Sequence, residues 1–171
     1  MSEPDPRSGV SLAMLHVFYG RIASGKSTLA AEIAASPDSI LISEDAWLHA
    51  LFAEDLNDLD DFIRCSKKLR AAMQPHIVGL LNAGLTVVLD FAANTPQQRA
   101  WMKRMAQEAG VDHRLHVITT PDETCLARLR ARNASGDHPF AVSEAQFHQF
   151  SKYVSLPSEE EGFNIISHDP T

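Results

Sequence analysis

The residues Gly20-Arg21-Ile22-Ala23-Ser24-Gly25-Lys26-Ser27 fit the phosphate-turn pattern G-x-x-x-x-G-K-[ST]. Chance would place it in well under ~1% of chains of this length, so it is read as functional. Such a turn aims successive backbone N–H groups inward as an anion nest. A helix beginning near Lys26 adds the positive end of its dipole. Lys26 can then reach the β- and γ-phosphates of a nucleotide, and the Ser27 hydroxyl can bind Mg2+. The cofactor-binding stretch is therefore Gly20, Arg21, Ile22, Ala23, Ser24, Gly25, Lys26, Ser27 and Thr28. Ala23 stands where many kinases have glycine, which predicts a stiffer loop that still binds phosphate.

Other groups suited to this chemistry lie at the ends of apolar runs. Ser43-Glu44-Asp45 follows Ser39–Ser43, and Asp90 closes Thr86–Asp90. In an open parallel sheet, ligands gather beyond the carboxyl ends of the strands. One of Asp45 and Asp90 could accept a proton from a hydroxyl nucleophile, and the other could hold Mg2+ or its waters. Glu44 is read as the weaker, solvated neighbour. Arg128 and Arg132 are four residues apart and share a helix face, where they could neutralise charge on a transferring phosphoryl group. Arg99 leans towards a site role. Trp47 could equally stack on a substrate ring or be buried beneath a helix.

The elements that must position these groups alternate along the chain. Leu12–Tyr19 reads as a buried strand, 26–35 as a helix stopped by Pro37, and Ser39–Ser43 as a second strand. Glu44–Ala53 reads as a short helix, and Asp60–Asn82 as a long one with a kink or break at Pro75. Thr86–Asp90 and Arg114–Thr119 are the next strands. Helices open at the capping sequences Thr95–Gln98, Thr120–Glu123 and Ser143–Gln146. A last strand covers Phe163–Ser167. The expected fold is α/β, a three-layer α/β/α sandwich around a mostly parallel five-stranded sheet. Residues 1–10 read as a tail, 11–171 as one domain, and 128–142 as the region of a lid.

Composition bounds the rest. The chain has 171 residues, 44% of them hydrophobic, with 15 Lys+Arg against 22 Asp+Glu. This is globular composition and suits one domain. The net charge of −7 speaks against general nucleic-acid binding, which draws on clustered Lys and Arg. No apolar run reaches the ~18 residues of a membrane span, and the opening MSEPDPRSGV lacks the apolar core of a signal peptide. Two cysteines, Cys65 and Cys125, make neither a disulfide framework nor a zinc site, and a reducing cytoplasm is the plain expectation. The eight histidines show no metal-ligand spacing, and each is expected on the surface or in the core. His138 alone falls inside the expected lid. The acidic run Glu54–Asp61 reads as a solvated helix start.

GRIASGKSTLA, SEDAW, GLTVVLDFAANTPQQRAWMKRMAQEAG and CLARLRARN, in that order, resemble the small P-loop kinases of the predicted-kinase AAA-type family. That family is related to bacteriophage polynucleotide kinase, zeta toxins and chloramphenicol phosphotransferase. The resemblance spans roughly residues 14–133 and implies a nucleoside-kinase-like P-loop fold, ATP as donor and Mg2+ as helper. It also implies that Asp45 is the general base, that Asp90 is the acid ending the third strand, and that Arg128 and Arg132 are lid arginines. The family's substrate-phosphate arginine, three positions after the base, is here Leu48, which weakens a polynucleotide reading. Phe91 and Ala92, after the strand-three acid, imply a less polar acceptor pocket.

Three functions follow as expectations. The first is an ATP-dependent kinase acting on a hydroxyl of a small molecule, with Lys26, Asp45, Arg128 and Arg132 as catalytic residues and Ser27 and Asp90 arranging Mg2+. The second is a regulatory ATP-binding module without an acceptor. The third is a polynucleotide 5′-hydroxyl kinase.

Overall fold

In a computed structural model of the chain, the structure describes residues 12–136 and 141–170. The strands are β1 (Met14–Tyr19), β2 (Ser39–Ser43), β3 (Thr86–Ala92), β4 (Asp112–Ile118) and β5 (Ile165–His168). The α-helices are α1 (Lys26–Ala34), α2 (Glu44–Phe52), α3 (Leu59–Asn82), α4 (Pro96–Ala109), α5 (Asp122–Ser135) and α6 (Glu144–Ser151). The sheet runs β2-β3-β1-β4-β5, and every neighbouring pair is parallel. This is the expected α/β sandwich, with the sheet wholly rather than mostly parallel. The carboxyl ends of all five strands therefore lie along one edge.

Side-chain alternation sorts the core into layers. Leu15, Val17, Tyr19, Val87, Leu89, Phe91, Leu115 and Val117 form one cluster with Leu69, Met73 and Ile77 of α3 and Met102 and Met105 of α4. Phe18 and Val88, on the opposite face, pack on Ala30 of α1. Burial on both faces explains why β1 is apolar apart from His16. A third cluster joins Cys125 and Leu129 of α5 to Phe147 of α6, with Ile22 and Ala23 against it. That cluster seats α5 directly over the glycine-rich turn.

Several boundaries differ from the sequence reading: β1 begins at Met14, β4 is Asp112–Ile118, β5 is Ile165–His168, and three further differences involve α3, β3 and α5. The helix expected to kink or break at Pro75 does not break there: α3 runs through it as one helix. Pro75 and Ala71, whose carbonyl loses its usual donor, lie on the exposed side. Buried Met73, Ile77, Val78 and Leu81 pin the segments on both sides of it. β3 continues two residues past Asp90, to Ala92. The helix at Thr120 has Pro121 as its N-cap with no side-chain cap, because Thr120 Oγ1 donates instead to the Ser24 carbonyl at 2.9 Å. The capping boxes at Thr95–Gln98 and Ser143–Gln146 form as expected. The expected N-terminal tail, 1–10, and residues 137–140 of the expected lid, His138 among them, lie outside the described residues. Among the described residues, no helix is long and apolar enough to cross a membrane.

Candidate active site

The turn between β1 and α1 is shaped at its two glycines. A methyl group on Gly20 would fall 2.4 Å from Ser24 Oγ and 3.2 Å from the Ile118 carbonyl oxygen, so only glycine fits. Gly25 caps α1 at φ 105°, a conformation that favours glycine. Ala23 also lies in the left-handed region, at φ 61°. A methyl-bearing residue there costs on the order of 1 kcal/mol, which is what the missing glycine means physically. The neighbouring contact with the α5–α6 cluster holds Ala23 in place.

Side chains from three directions brace the loop. Asn94, just after β3, makes a two-way pair with Gly20: the Gly20 N–H donates to Asn94 Oδ1 at 3.0 Å, and Asn94 Nδ2 donates to the Gly20 carbonyl at 2.9 Å. Thr120 and Arg128 both donate to the Ser24 carbonyl, Arg128 at 3.4 Å. Arg21 pairs with Asp122 at the start of α5, at 3.1 Å. Sequence reasoning missed Asn94, Thr120 and Asp122 in these bracing roles. A polar residue in a connecting segment carries no spacing signal for a partner elsewhere in the chain.

Lys26 is half-buried and donates to the carbonyls of Gly20 and Arg21, the latter at 2.7 Å. Burial lowers its pKa to about 8, while Asp90 and then Asp45 act in the opposite sense. Ser27 Oγ donates to Asp90 Oδ2 at 2.8 Å. A hydroxyl beside a carboxylate is an all-oxygen donor set, and it suits Mg2+, which takes oxygen ligands and shares them with phosphates. Arg132 is depressed by burial, with Asp45 opposing, and its Nε is buried without a hydrogen-bond partner among the described residues. Lys26 thus lies within electrostatic reach of Asp90, Asp45 and Arg132, and Arg132 within reach of Asp45. Together with Arg128 and Thr28 they line one open cleft of about 1410 Å3. A pocket for one small ligand takes roughly 300–1,000 Å3, so this cleft has room for two molecules.

Beyond the loop, the cleft is walled by α3 and α4. Here Glu44 departs from the sequence reading: it is buried, not solvated. Both its carboxylate oxygens accept from Arg70, Nε at 3.0 Å and Nη2 at 3.1 Å, and Ser66 Oγ donates to it as well. Burying a carboxylate is tolerable only with partners, and α3 supplies them. The Arg70 guanidinium lies 5.5 Å from the Phe91 ring centre and 5.4 Å from that of Trp101. Trp101 Nε1 donates to Gln74 at 2.9 Å.

Several candidates lie elsewhere. Arg99 is fully buried and bound by Glu161 at 2.6 and 2.8 Å and by the carbonyls of Ala93 and Ser155. It does not line the cleft, so its place in the fold is that of a brace. Trp47 is 39% exposed and does not line the cleft, so neither alternative weighed for it describes its place. Leu48 is fully buried in the main cluster. Cys65 and Cys125 are both buried, and burial pushes the Cys125 thiol up, away from reactivity.

The family described as "AAA domain" matches residues 15–157 of the chain. No curated protein matches it. Among solved structures, a presumed kinase from Chloroflexus aurantiacus is 19% identical with a TM-score of 0.74, the match covering 94% of this chain and 87% of that one. The APS kinase CysC of Mycobacterium tuberculosis is 18% identical with a TM-score of 0.61, covering 92% and 88%. Kti12 of Chaetomium thermophilum, solved with ADP-AlF3, is 15% identical with a TM-score of 0.67, covering 90% and 88%. At these identities the likeness is one of fold, and its recurrence supports the parallel sheet and turn described above. With the family match running from β1 to beyond α6, the chain belongs to the AAA domain family and has the fold of a small P-loop kinase.

Proposed function

We propose that the protein binds ATP with Mg2+ and transfers its γ-phosphoryl group to a hydroxyl of a small molecule. The observation that carries this is Asp45. A module that only binds nucleotide needs the loop and one acid near Ser27; it does not need a second carboxylate within electrostatic reach of Lys26 and Arg132. Transfer does need it, because the attacking hydroxyl must lose a proton.

In this reading the loop amides from Gly20 to Thr28 hold the triphosphate. Lys26, released from its two carbonyls, meets the β- and γ-phosphates. Ser27 and Asp90 would hold Mg2+, which when bound draws charge from the phosphate oxygens. Asp45 takes the acceptor's hydroxyl proton as the acceptor oxygen bonds to the γ-phosphorus. The bond from that phosphorus to the β–γ bridging oxygen breaks, and ADP leaves with the electron pair. Arg128 and Arg132 lie over the same space and stabilise the charge spreading over the transferring group. The Lys26 pKa near 8 keeps the ammonium largely charged at neutral pH, and arriving phosphate raises it further. A small acceptor is favoured over a polynucleotide by the buried Leu48 and the net charge of −7.

Asp45→Asn tests the assignment. The turnover of a phosphorylated acceptor should fall by about 10²–10⁴-fold, the usual worth of a general base. ATP affinity by calorimetry should change less than about threefold, since Asp45 does not hold the triphosphate. Turnover equal to that of the parent protein removes Asp45 from the mechanism.

A further inference from the structure

The acceptor half of the cleft has a charge pattern that selects among acceptors, and this inference rests on the transfer reading above. Two cations of α3 line it, Arg70 and Lys67. Arg70 is the better placed, half-buried at the wall. Its Nε and Nη2, the edge that grips carboxylates and phosphates, are already held by both oxygens of Glu44. The rings of Phe91 and Trp101, their centres 6.0 Å apart, lie together to one side of the guanidinium. Lys67 remains, exposed at the rim. Against these stand Glu44, Asp45 and Asp58, which also line the cleft. The other cations of the cleft, Arg21, Lys26, Arg128 and Arg132, belong to the phosphate turn and the helix over it, where a bound triphosphate would engage them. A phosphate monoester or sugar acid arriving here would face these carboxylates, with the Nε–Nη2 edge of Arg70 already taken.

What the wall does offer is neutral and polar. The amides of Asn57, Gln74 and Gln97 line it beside the indole of Trp101. Amides both donate and accept, and hydroxyl groups ask for both. We infer that the acceptor is a hydroxyl-rich molecule without negative charge, of the sugar, polyol or nucleoside kind, and that Glu44 enforces this by withdrawing Arg70 from ligands.

The test uses the full chain with ATP and Mg2+ and paired acceptors: hexoses, pentitols and nucleosides beside their phosphate monoesters. Transfer to uncharged members is expected, with kcat/KM at least about tenfold lower for the esters, a difference of one strong charge contact. Preference for the esters overturns this inference and leaves phosphoryl transfer standing. Transfer to neither set, with ATP still bound, overturns both. Glu44→Gln supplies a second arm, because it removes the charge that occupies Arg70 and keeps the volume. Inorganic sulfate is titrated by tryptophan fluorescence into protein saturated with a non-hydrolysable ATP analogue, in a Trp47→Phe background. Sulfate should bind about tenfold more tightly in the Gln variant, while affinity for the ATP analogue stays within about twofold. Unchanged sulfate affinity overturns the role given to Glu44 and Arg70.

Discussion

Asn94 shows how much of a binding loop's shape can rest on a residue outside it. Its amide reproduces, for Gly20, the pair of bonds a neighbouring strand would give. Asn94→Ala removes both and leaves a glycine free to wander at the start of the phosphate turn. Each bond is worth roughly 0.5–1.5 kcal/mol, so ATP should bind about tenfold more weakly. Calorimetric titration of the variant checks this, and an unaltered Kd would mean that the loop holds itself. The contrast with Lys26 is instructive about what a sequence exposes. Lys26 was legible because the turn needs its residue types at fixed spacing along the chain. Asn94 and Arg70 were not, because their partners are 74 and 26 residues away and nothing local marks the pairing. Glu44 was misread for the same reason: from sequence it flanks Asp45, and only the approach of α3 reveals its burial.

Elements were more legible than contacts, and their errors were of one kind. Strand and helix types followed from periodicity and capping, whereas the ends moved where tertiary contacts outbid local signals. Thr120 left its cap to serve the loop, and α3 carried on through Pro75. The parallel sheet also creates a feature that no single strand announces. His16, His116 and His168, on β1, β4 and β5, form a hydrogen-bonded row, with ring nitrogens 2.9 Å apart at each step. Burial first, with Arg114 second, lowers His16 to about 4. Burial, then His16, His168 and Arg114, lowers His116 to about 4. Both are therefore neutral in the folded protein where the unfolded chain, at its ordinary value near 6.5, would take up protons. Their contribution to stability is present in full above pH 6.5 and is lost as pH falls towards 4. Urea midpoints should decline over that window. In His116→Phe the steepness of the decline should drop by up to about one proton, even though the variant is less stable overall. An identical slope in parent and variant would place the titration elsewhere.

On the scale of the whole molecule, Arg99 ties the last third of the chain to its middle. From α4 it reaches the Ala93 carbonyl after β3, the Ser155 carbonyl and Glu161, while Ser155 N–H donates to the Asn94 carbonyl at 2.9 Å. The segment leading to β5 is thereby fastened beside the residue that braces the phosphate turn. Lys103 adds a bond to the Glu161 carbonyl and sits over Phe163. Truncating Arg99 would strand the partly buried Glu161 and two carbonyls. Arg99→Ala should lower unfolding free energy by about 3–5 kcal/mol, the usual consequence of breaking a buried pair. Denaturant unfolding measures it, and a loss below about 1 kcal/mol would deny the strap its importance. Arg99→Lys should recover little, since an ammonium cannot span both Glu161 oxygens and the carbonyls.

The two acceptors that Lys26 holds each have a second donor. Asn94 keeps the Gly20 oxygen, and the Ser24 N–H keeps the Arg21 oxygen at 3.1 Å. When an incoming triphosphate draws the ammonium away, neither oxygen is orphaned. The handover is then a swing of one flexible side chain, on the timescale of rotamer changes, with no refolding of its seat.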